Sequence, residues 1–358
     1  MPSFHRTLLL AALAAPACDS PPPETEPVML VAAADTIFIP HLEITQAAWI
    51  DDDHWVMIAP NEPAVLLADF SEGTATQFGT ADAFQQPFSV FRSGDSLFVG
   101  DWARAQLTVW SLDGQLVDSI PASGAVAGHL PRARDGAGRF YVQRNPSPGP
   151  DGSGLLDSSW VVRGPADFAT VDTVAQLAPR DVVEVSGQAG KRFEPRLLSG
   201  SDEWGAALDG SVWVVRVDQN RVEWRSPEGE WNRGPGLPDP VLTVEEGDRQ
   251  LFLREFPEEL RRNATQIPFA IVKPPFTAVV TDPDGELWIR KTAAYLDSTR
   301  LVQEVGRDGR LARQFRFPGY GQLMAAGRES ILVVETWSQG VRVLRYELIP
   351  DLTPHPPS

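Results

Sequence analysis

Cysteine is almost missing from this chain. One residue of that kind, Cys18, among 358 excludes a disulfide framework and any thiolate metal site. Histidine is scarce as well. His5, His41, His54, His129 and His355 are the full set, and no two stand at metal-ligand spacing, so no metal call follows from them and zinc chemistry has no ligand set to draw on. Basic residues are outnumbered, 31 against 48 acidic, and the net charge of −17 argues against nucleic acid or an anionic membrane surface as partner, because phosphate binding needs surplus cations. No Gly-x-Ser-x-Gly elbow is present, so a serine hydrolase of that type has no support. Gly187-Gln-Ala-Gly190-Lys191-Arg192 lacks the first glycine and the closing Ser or Thr of a phosphate loop. The apolar run from Leu8 to Ala15 is too short to span a bilayer.

What is present points to a folded, turn-rich protein. At 42% hydrophobic and 22% charged residues the chain can bury a real core, and 32 prolines, 29 glycines and 11 tryptophans lean toward all-β architecture. Residues 1–18 read as a targeting segment: Arg6, the apolar run, then Ala-Pro-Ala before Cys18. That ending resembles a bacterial lipoprotein signal, which implies lipidation of Cys18. Ala15 stands where such signals usually carry Leu, so plain cleavage and secretion stay open beside it. Residues 19–27 have no apolar stretch to bury and a polyproline II bias, and read as a tether. Losing residues 1–18 removes Arg6 and no acid, which takes the formal charge from −17 to −18. The only membrane contact expected is through the acyl anchor.

An internal repeat carries the fold. A polar turn, often Asp-Gly or Gly-Asp, is followed by an apolar position, a bulky residue and Val or Ile. Six such copies centre on Trp55, Phe98, Tyr141, Trp213, Trp288 and Leu332, at intervals of 43, 43, 72, 75 and 44 residues. A period near 43 residues holding four short strands is the signature of a propeller blade, a sheet that cannot bury both faces alone. The expectation is an all-β, six-bladed β-propeller over residues 28–350, with residues 351–358 as a tail. The last copy stops short of a full blade, and Thr36-Ile37-Phe38-Ile39 is expected to complete it, hiding a sheet edge. The two long intervals hold a breaker-rich loop at 145–154 with a long connection at 179–203, and a helical insertion at about 243–263. In the latter, Thr243-Val-Glu-Glu246 forms a capping-box pattern, and Leu251, Phe252, Phe256 and Leu260 fall at spacings suited to one helical face, with Pro257 breaking or restarting the helix.

With Leu97-Phe98-Val99-Gly100-Asp101 and Leu107-Thr-Val-Trp-Ser-Leu-Asp-Gly114 as its best unit, the chain resembles the six-bladed NHL and TolB-like propellers, particularly secreted bacterial propeller lipoproteins. The resemblance implies a place in the periplasm or on the outer surface. It leaves the chemistry open, since propellers serve as enzymes, sensors and docking platforms. Later copies depart from the NHL pattern, with Arg216 and Lys291 where the second copy has Asp101.

One column suggests a site. Three residues beyond the bulky positions stand Ile58, Asp101, Arg144, Arg216, Lys291 and Glu335, with Arg290 adjacent. Three successive cations on an acidic protein suggest an anionic ligand or a carboxylate-bearing envelope protein held through charge-assisted hydrogen bonds. The plain alternative is ion pairing with Asp101, Glu335 and loop acids. Trp102 and Trp337 are expected in the matching loops, as an aromatic contact patch or as core wedges. The reading that follows is a monomeric binding or docking module of the cell envelope, without a cofactor and not an enzyme. The alternative is a channel-site enzyme, a lactonase-like hydrolase or lyase, which would call for calcium held by oxygen ligands. Most aspartates sit in Asp-Gly turns, where they stabilise the turn.

Overall fold

Each copy of the repeat opens the second strand of an antiparallel sheet, because the Asp-Gly turn reverses the chain and the apolar run after it is buried on both faces. The computed structural model describes residues 26–348 apart from 41, 81, 123–128, 146–158, 188–189, 255, 257, 259–260 and 262–263. Cys18, the signal, most of the tether, His41, most of the 145–154 loop, Pro257, Leu260 and the 351–358 tail therefore lie outside the described residues.

Two short strands, β1 (Val28–Met29) and β2 (Asp35–Pro40), precede the blades. Blade 1 is β3 (Gln46–Trp49), β4 (His54–Ala59), β5 (Ala64–Asp69) and β6 (Thr74–Gln77). Blade 2 is β7 (Pro87–Ser93), β8 (Ser96–Asp101), β9 (Gln106–Ser111) and β10 (Leu116–Pro121). Blade 3 is β11 (Ala133–Arg134), β12 (Phe140–Arg144), β13 (Trp160–Gly164) and β14 (Asp172–Gln176). A hairpin of β15 (Val182–Gly187) and β16 (Gly190–Pro195) follows as a separate two-stranded sheet. Blade 4 is β17 (Glu203–Ala206), β18 (Val212–Arg216), β19 (Arg221–Arg225) and β20 (Trp231–Arg233). Helix α1 (Glu246–Arg254) leads to blade 5, which is β21 (Phe276–Thr281), β22 (Leu287–Lys291), β23 (Thr299–Val305) and β24 (Leu311–Pro318). Blade 6 is β25 (Gln322–Ala326), β26 (Ser330–Trp337) and β27 (Gly340–Glu347).

The ring closes as the repeat predicts. Strand β2 pairs antiparallel with β27 from Asp35 opposite Arg345 to Pro40 opposite Gly340, supplying the fourth strand of blade 6. Strand β1 adds a second closure that the sequence did not announce, lying parallel to β24 at the outer edge of blade 5.

The core is a set of seams between successive blades. Val56 and Ile58 meet Leu97 and Val99; Phe98 meets Phe140 and Val142; Tyr141 meets Val212 and Val214. Trp213 and Val215 meet Leu287 and Ile289; Trp288 meets Ile331 and Val333; Leu332 and Val334 meet Trp55 and Met57. Five of the six bulky positions thus occupy one place, facing the next blade. Trp55 is out of phase and faces blade 6, so Val56 holds that place in blade 1. The turn hydrogen bonds fix the phase. Asp135 N–H donates to Arg139 O, Asp282 N–H to Glu286 O and Ile50 N–H to His54 O, and the seam residue follows each of these acceptors by two. A slip of one residue moves a side chain to the other face, and because both faces of β4 are buried, no polar alternation betrays it.

The Asp-Gly positions act as turns. Gly285 has φ +87° and Asp282 accepts from the N–H groups of Asp284 and Glu286. Burial raises the Asp282 carboxyl above its ordinary range despite these donors and Trp288 Nε1 at 3.2 Å.

Candidate functional site

Side chains on a strand stand roughly perpendicular to the sheet, so residues on the second strand of each blade point at neighbouring blades and not at the axis. This corrects the expected ring of cations. Arg216 lies in the seam toward blade 3, donating to Asp202 Oδ2 at 2.7 Å, Glu223 Oε2 at 2.8 Å and Gln176 O at 2.9 Å. Burial works against both charges of the Arg216–Glu223 pair, yet their contact raises the guanidinium and lowers the carboxyl from their ordinary values. Lys291 turns toward blade 4 and pairs with Asp239 at 2.7 Å and Asn220 Oδ1 at 2.7 Å. Burial, opposed by Asp239, pulls its ammonium below the ordinary lysine value. Asp101 is fully buried and accepts from the N–H groups of Gln85, Gln86 and Arg104, holding two loops together. Arg144 is exposed at the end of β12. Glu335 packs against Gly319 and Gly321 before blade 6. Ile58 is core, and in the corrected register Ala59 takes its place in the column.

The two expected aromatic contacts are separate. Trp102, 44% exposed, packs on Phe88 with ring centroids 4.9 Å apart; Trp337, 54% exposed, carries the Arg342 guanidinium 4.7 Å over its ring. They belong to blades 2 and 6, with blade 1 between them.

Both interruptions of the 43-residue period emerge on one face and build one structure. Leu197, after the β15–β16 hairpin, donates its N–H to Pro268 O and accepts from Ala270 N–H, so the two insertions are knitted together by backbone. Helix α1 starts two residues later than the capping-box pattern implies. Asp248 Oδ2 accepts from Glu245 N–H at 2.9 Å, making Glu245 the cap. Thr243 is drawn instead into a β-bridge with Val272. Gly247 admits the Tyr295 ring against the helix, since a Cβ there would overlap it.

Together with the ends of blades 4, 5 and 6, the insertions wall a cavity of about 840 Å³. Glu203, Thr277 and Gln322, at or beside the starts of the innermost strands, place it at the mouth of the channel. Its charges are unusual for so acidic a chain. Arg196, Lys273, Arg290, Lys291 and Arg300 line it against Glu194, Glu203 and Asp248. Three of the cations are engaged: Arg196 with Asp181 at 3.1 Å, Lys273 with Asp248 at 2.6 Å, and Lys291 with Asp239.

Arg290 differs. Its Nε donates to Thr277 Oγ1 at 2.7 Å and its Nη1 to Gly321 O at 3.1 Å, and among the described residues it has no carboxylate partner. Burial first, and the like charge of Arg300 second, pull its pKa down to about 10. Arg300 likewise donates only to carbonyls, those of Asp297 and Thr299, and lies 4.9 Å over the Tyr320 ring. Despite burial, the Asp297 carboxyl is held below its ordinary value partly by the charge of Arg300, so Arg290 is the guanidinium that leaves donors for an anion. Of the cavity's residues, sequence reasoning found Arg290 and Lys291. Lys273, Asp248, Tyr295 and Arg300 escaped it because they lie outside the column that was aligned. The signal that points to them is the pair of overlong intervals, 72 and 75 residues, which in successive blades must leave the ring on the same side.

Among the described residues no group of three or more His, Cys, Asp or Glu side chains is placed to hold a metal ion. Among the described residues no helix is long and apolar enough to cross a membrane.

Neither a protein-family model nor a curated protein matches this chain. Solved structures do. A streptogramin B lyase matches at 12% identity and TM-score 0.42, covering 88% of this chain and 87% of its own. A catalytically inactive virginiamycin B lyase from Staphylococcus aureus, with quinupristin, matches at 9% identity and TM-score 0.45, covering 88% and 99%. Regucalcin, a calcium-binding protein from Agrobacterium tumefaciens, matches at 11% identity and TM-score 0.42, covering 89% and 96%. Likeness at this level carries no chemistry across. The expectation that the chain is not an enzyme is withdrawn, since the propellers it is similar to include lyases; the likeness assigns no activity to it. What stands is an all-β, six-bladed propeller with one short helical insertion and an N-terminal strand closing its last blade.

Proposed function

We propose that this propeller is a small-molecule enzyme of the lyase or hydrolase class, acting on an anionic substrate in the cavity at the mouth over blades 4 to 6. The observation that carries the reading is Arg290, a largely buried guanidinium on the cavity wall with Arg300 beside it and, among the described residues, no carboxylate partner of its own. Burying an uncompensated charge is costly. A carboxylate or similar anion relieves that cost and accepts hydrogen bonds from a donor fork already fixed in place. Lys273 and Asp248, 2.6 Å apart on the same wall, are the acid–base pair assigned to proton transfer. Thr277, Gly321 and Tyr320 hold the guanidiniums in place. The NHL-like affiliation and the lipid anchor at Cys18, in the periplasm or on the outer surface, belong to the same proposal and rest on the repeat motif and the signal layout.

The test begins with binding. Calorimetry with acetate, benzoate, citrate and phosphate compares the protein with Arg290→Gln and Arg300→Gln. A charge-assisted hydrogen bond is worth about 1.5–3 kcal/mol, so each variant is expected to weaken anion binding roughly 10- to 100-fold. Anions bound equally by protein and variants overturn the site. Incubation with a mixture of small carboxylates, followed by mass spectrometry, then reads turnover: loss of a component that Lys273→Met abolishes supports an enzyme. Binding without any loss reduces the protein to a receptor for small anions.

A further inference from the structure

The cavity is divided by chemistry, and the division specifies what kind of anion it takes. The blades supply Arg290 on β22, which among the described residues has no carboxylate partner, and its neighbour Arg300 on β23. The insertions add an apolar stretch, Leu251 and Phe252 on α1, Ile267 after it, and Leu197 and Leu198 after the hairpin, beside the paired charges of Arg196, Asp248 and Lys273. Leu251 is 52% exposed although it stands on the cavity wall. The helix therefore offers this leucine to the cavity contents and not to the protein core. A volume of about 840 Å³ falls within the span that takes a ligand of drug size, roughly 300–1,000 Å³, and far exceeds what a lone carboxylate fills.

We infer that the ligand is an amphipathic carboxylate whose acidic head meets Arg290 and Arg300 while its apolar body lies against Leu251, Phe252 and Ile267 of the cap. A neutral apolar molecule leaves the Arg290 guanidinium covered without an anion. A small polar anion leaves the leucine wall wet. Only a molecule with both ends satisfies both walls. The inference rests on the anion reading above and adds the substrate class to it. Tyr295, whose ring packs against Gly247 of α1, joins the two walls, since it follows the β22 end that carries Arg290.

The experiment uses N-acylglycines of increasing chain length, from acetyl to dodecanoyl, and the matching N-acylglycinamides, measured by calorimetry on the full protein. For the acids, affinity is expected to climb roughly fourfold per added methylene, as burial of each CH₂ predicts, until the cap wall is covered. The amides are expected to bind 10- to 100-fold more weakly at every length, and Leu251→Ser to flatten the climb without changing the acid–amide ratio. A flat series that still requires the carboxylate overturns the apolar arm and leaves the anion site standing. A climb that is the same for acids and amides overturns the anion site. No binding by any member overturns both. Leu251 is an exposed helix residue, so its replacement tests the wall without unfolding the protein, and thermal denaturation of the variant checks this.

Discussion

Replacing Arg216 separates a structural cation from a ligand-binding one. Its side chain is 16% exposed, and the carboxylates it serves, Asp202 and Glu223, are 0% and 5% exposed. Arg216→Met keeps most of the volume and leaves two buried acids facing each other with only Arg221 and Arg233 near Glu223. Breaking a buried pair by removing one partner typically costs about 3–5 kcal/mol. With an unfolding entropy of about 2.1 cal/mol/K per residue, the roughly 300 residues described correspond to a fall in Tm of about 5–8 °C. The assay is thermal denaturation followed by circular dichroism. The double variant Arg216→Met/Glu223→Gln removes one of the stranded charges and is expected to recover part of the loss. The pH dependence supplies a sign check. Glu223 has its pKa lowered in the folded protein, so its contribution is present above its unfolded value near 4.5 and vanishes as pH falls through the folded one. In Arg216→Met that dependence is expected to shrink or reverse. If Arg216→Met keeps its Tm but loses anion binding, Arg216 is a ligand cation and the seam argument fails.

Other outcomes follow from the same geometry. Asp135 is held below its ordinary carboxylate value despite burial, by Arg139 N–H and the Tyr141 hydroxyl at 2.8 Å. Its stabilising effect is thus present above about pH 3.8 and lost in stronger acid, and Asp135→Asn should flatten acid unfolding measured between pH 5 and 2. His54, raised above its ordinary value by Asp51 against the effect of burial, contributes below pH 6.5 and loses that contribution as pH climbs through its folded value. His54→Gln should erase this small term in Tm measured from pH 5.5 to 8.5. Deleting residues 26–40 removes β2 and exposes the β27 edge, and light scattering should report aggregation. Cys18→Ala should abolish incorporation of radiolabelled palmitate in a bacterial host; labelling that persists rules out lipidation at this residue.

The architecture was legible because its grammar is repeated: six turns, six buried second strands, and a period that counts blades. Bulk alone does not set the register. Trp55 is the largest residue of its copy, yet the place facing the next blade belongs to Val56, since two buried faces leave no polar mark to set the phase. The hairpin at 182–195 was hidden because it lies outside the period, and its turn was read only as a failed phosphate loop. The cavity was half legible. Arg290 stands beside the repeat column, but its cavity neighbours come from β23 and the insertions, and whether a cation is satisfied depends on carboxylates distant in sequence. Asp239 does this for Lys291, and among the described residues no carboxylate does it for Arg290.

Among the described residues, the elaboration of this ring is on the mouth side, where the insertions meet at Leu197 and Ala270. The opposite rim is stitched by short reversals such as Glu72-Gly73, where open space surrounds the glycine. That far rim is consequently the place to graft a fluorophore, affinity handle or fused domain: about 20 Å of strand separates it from the ligand chamber, so such a passenger can report on the chamber without obstructing it.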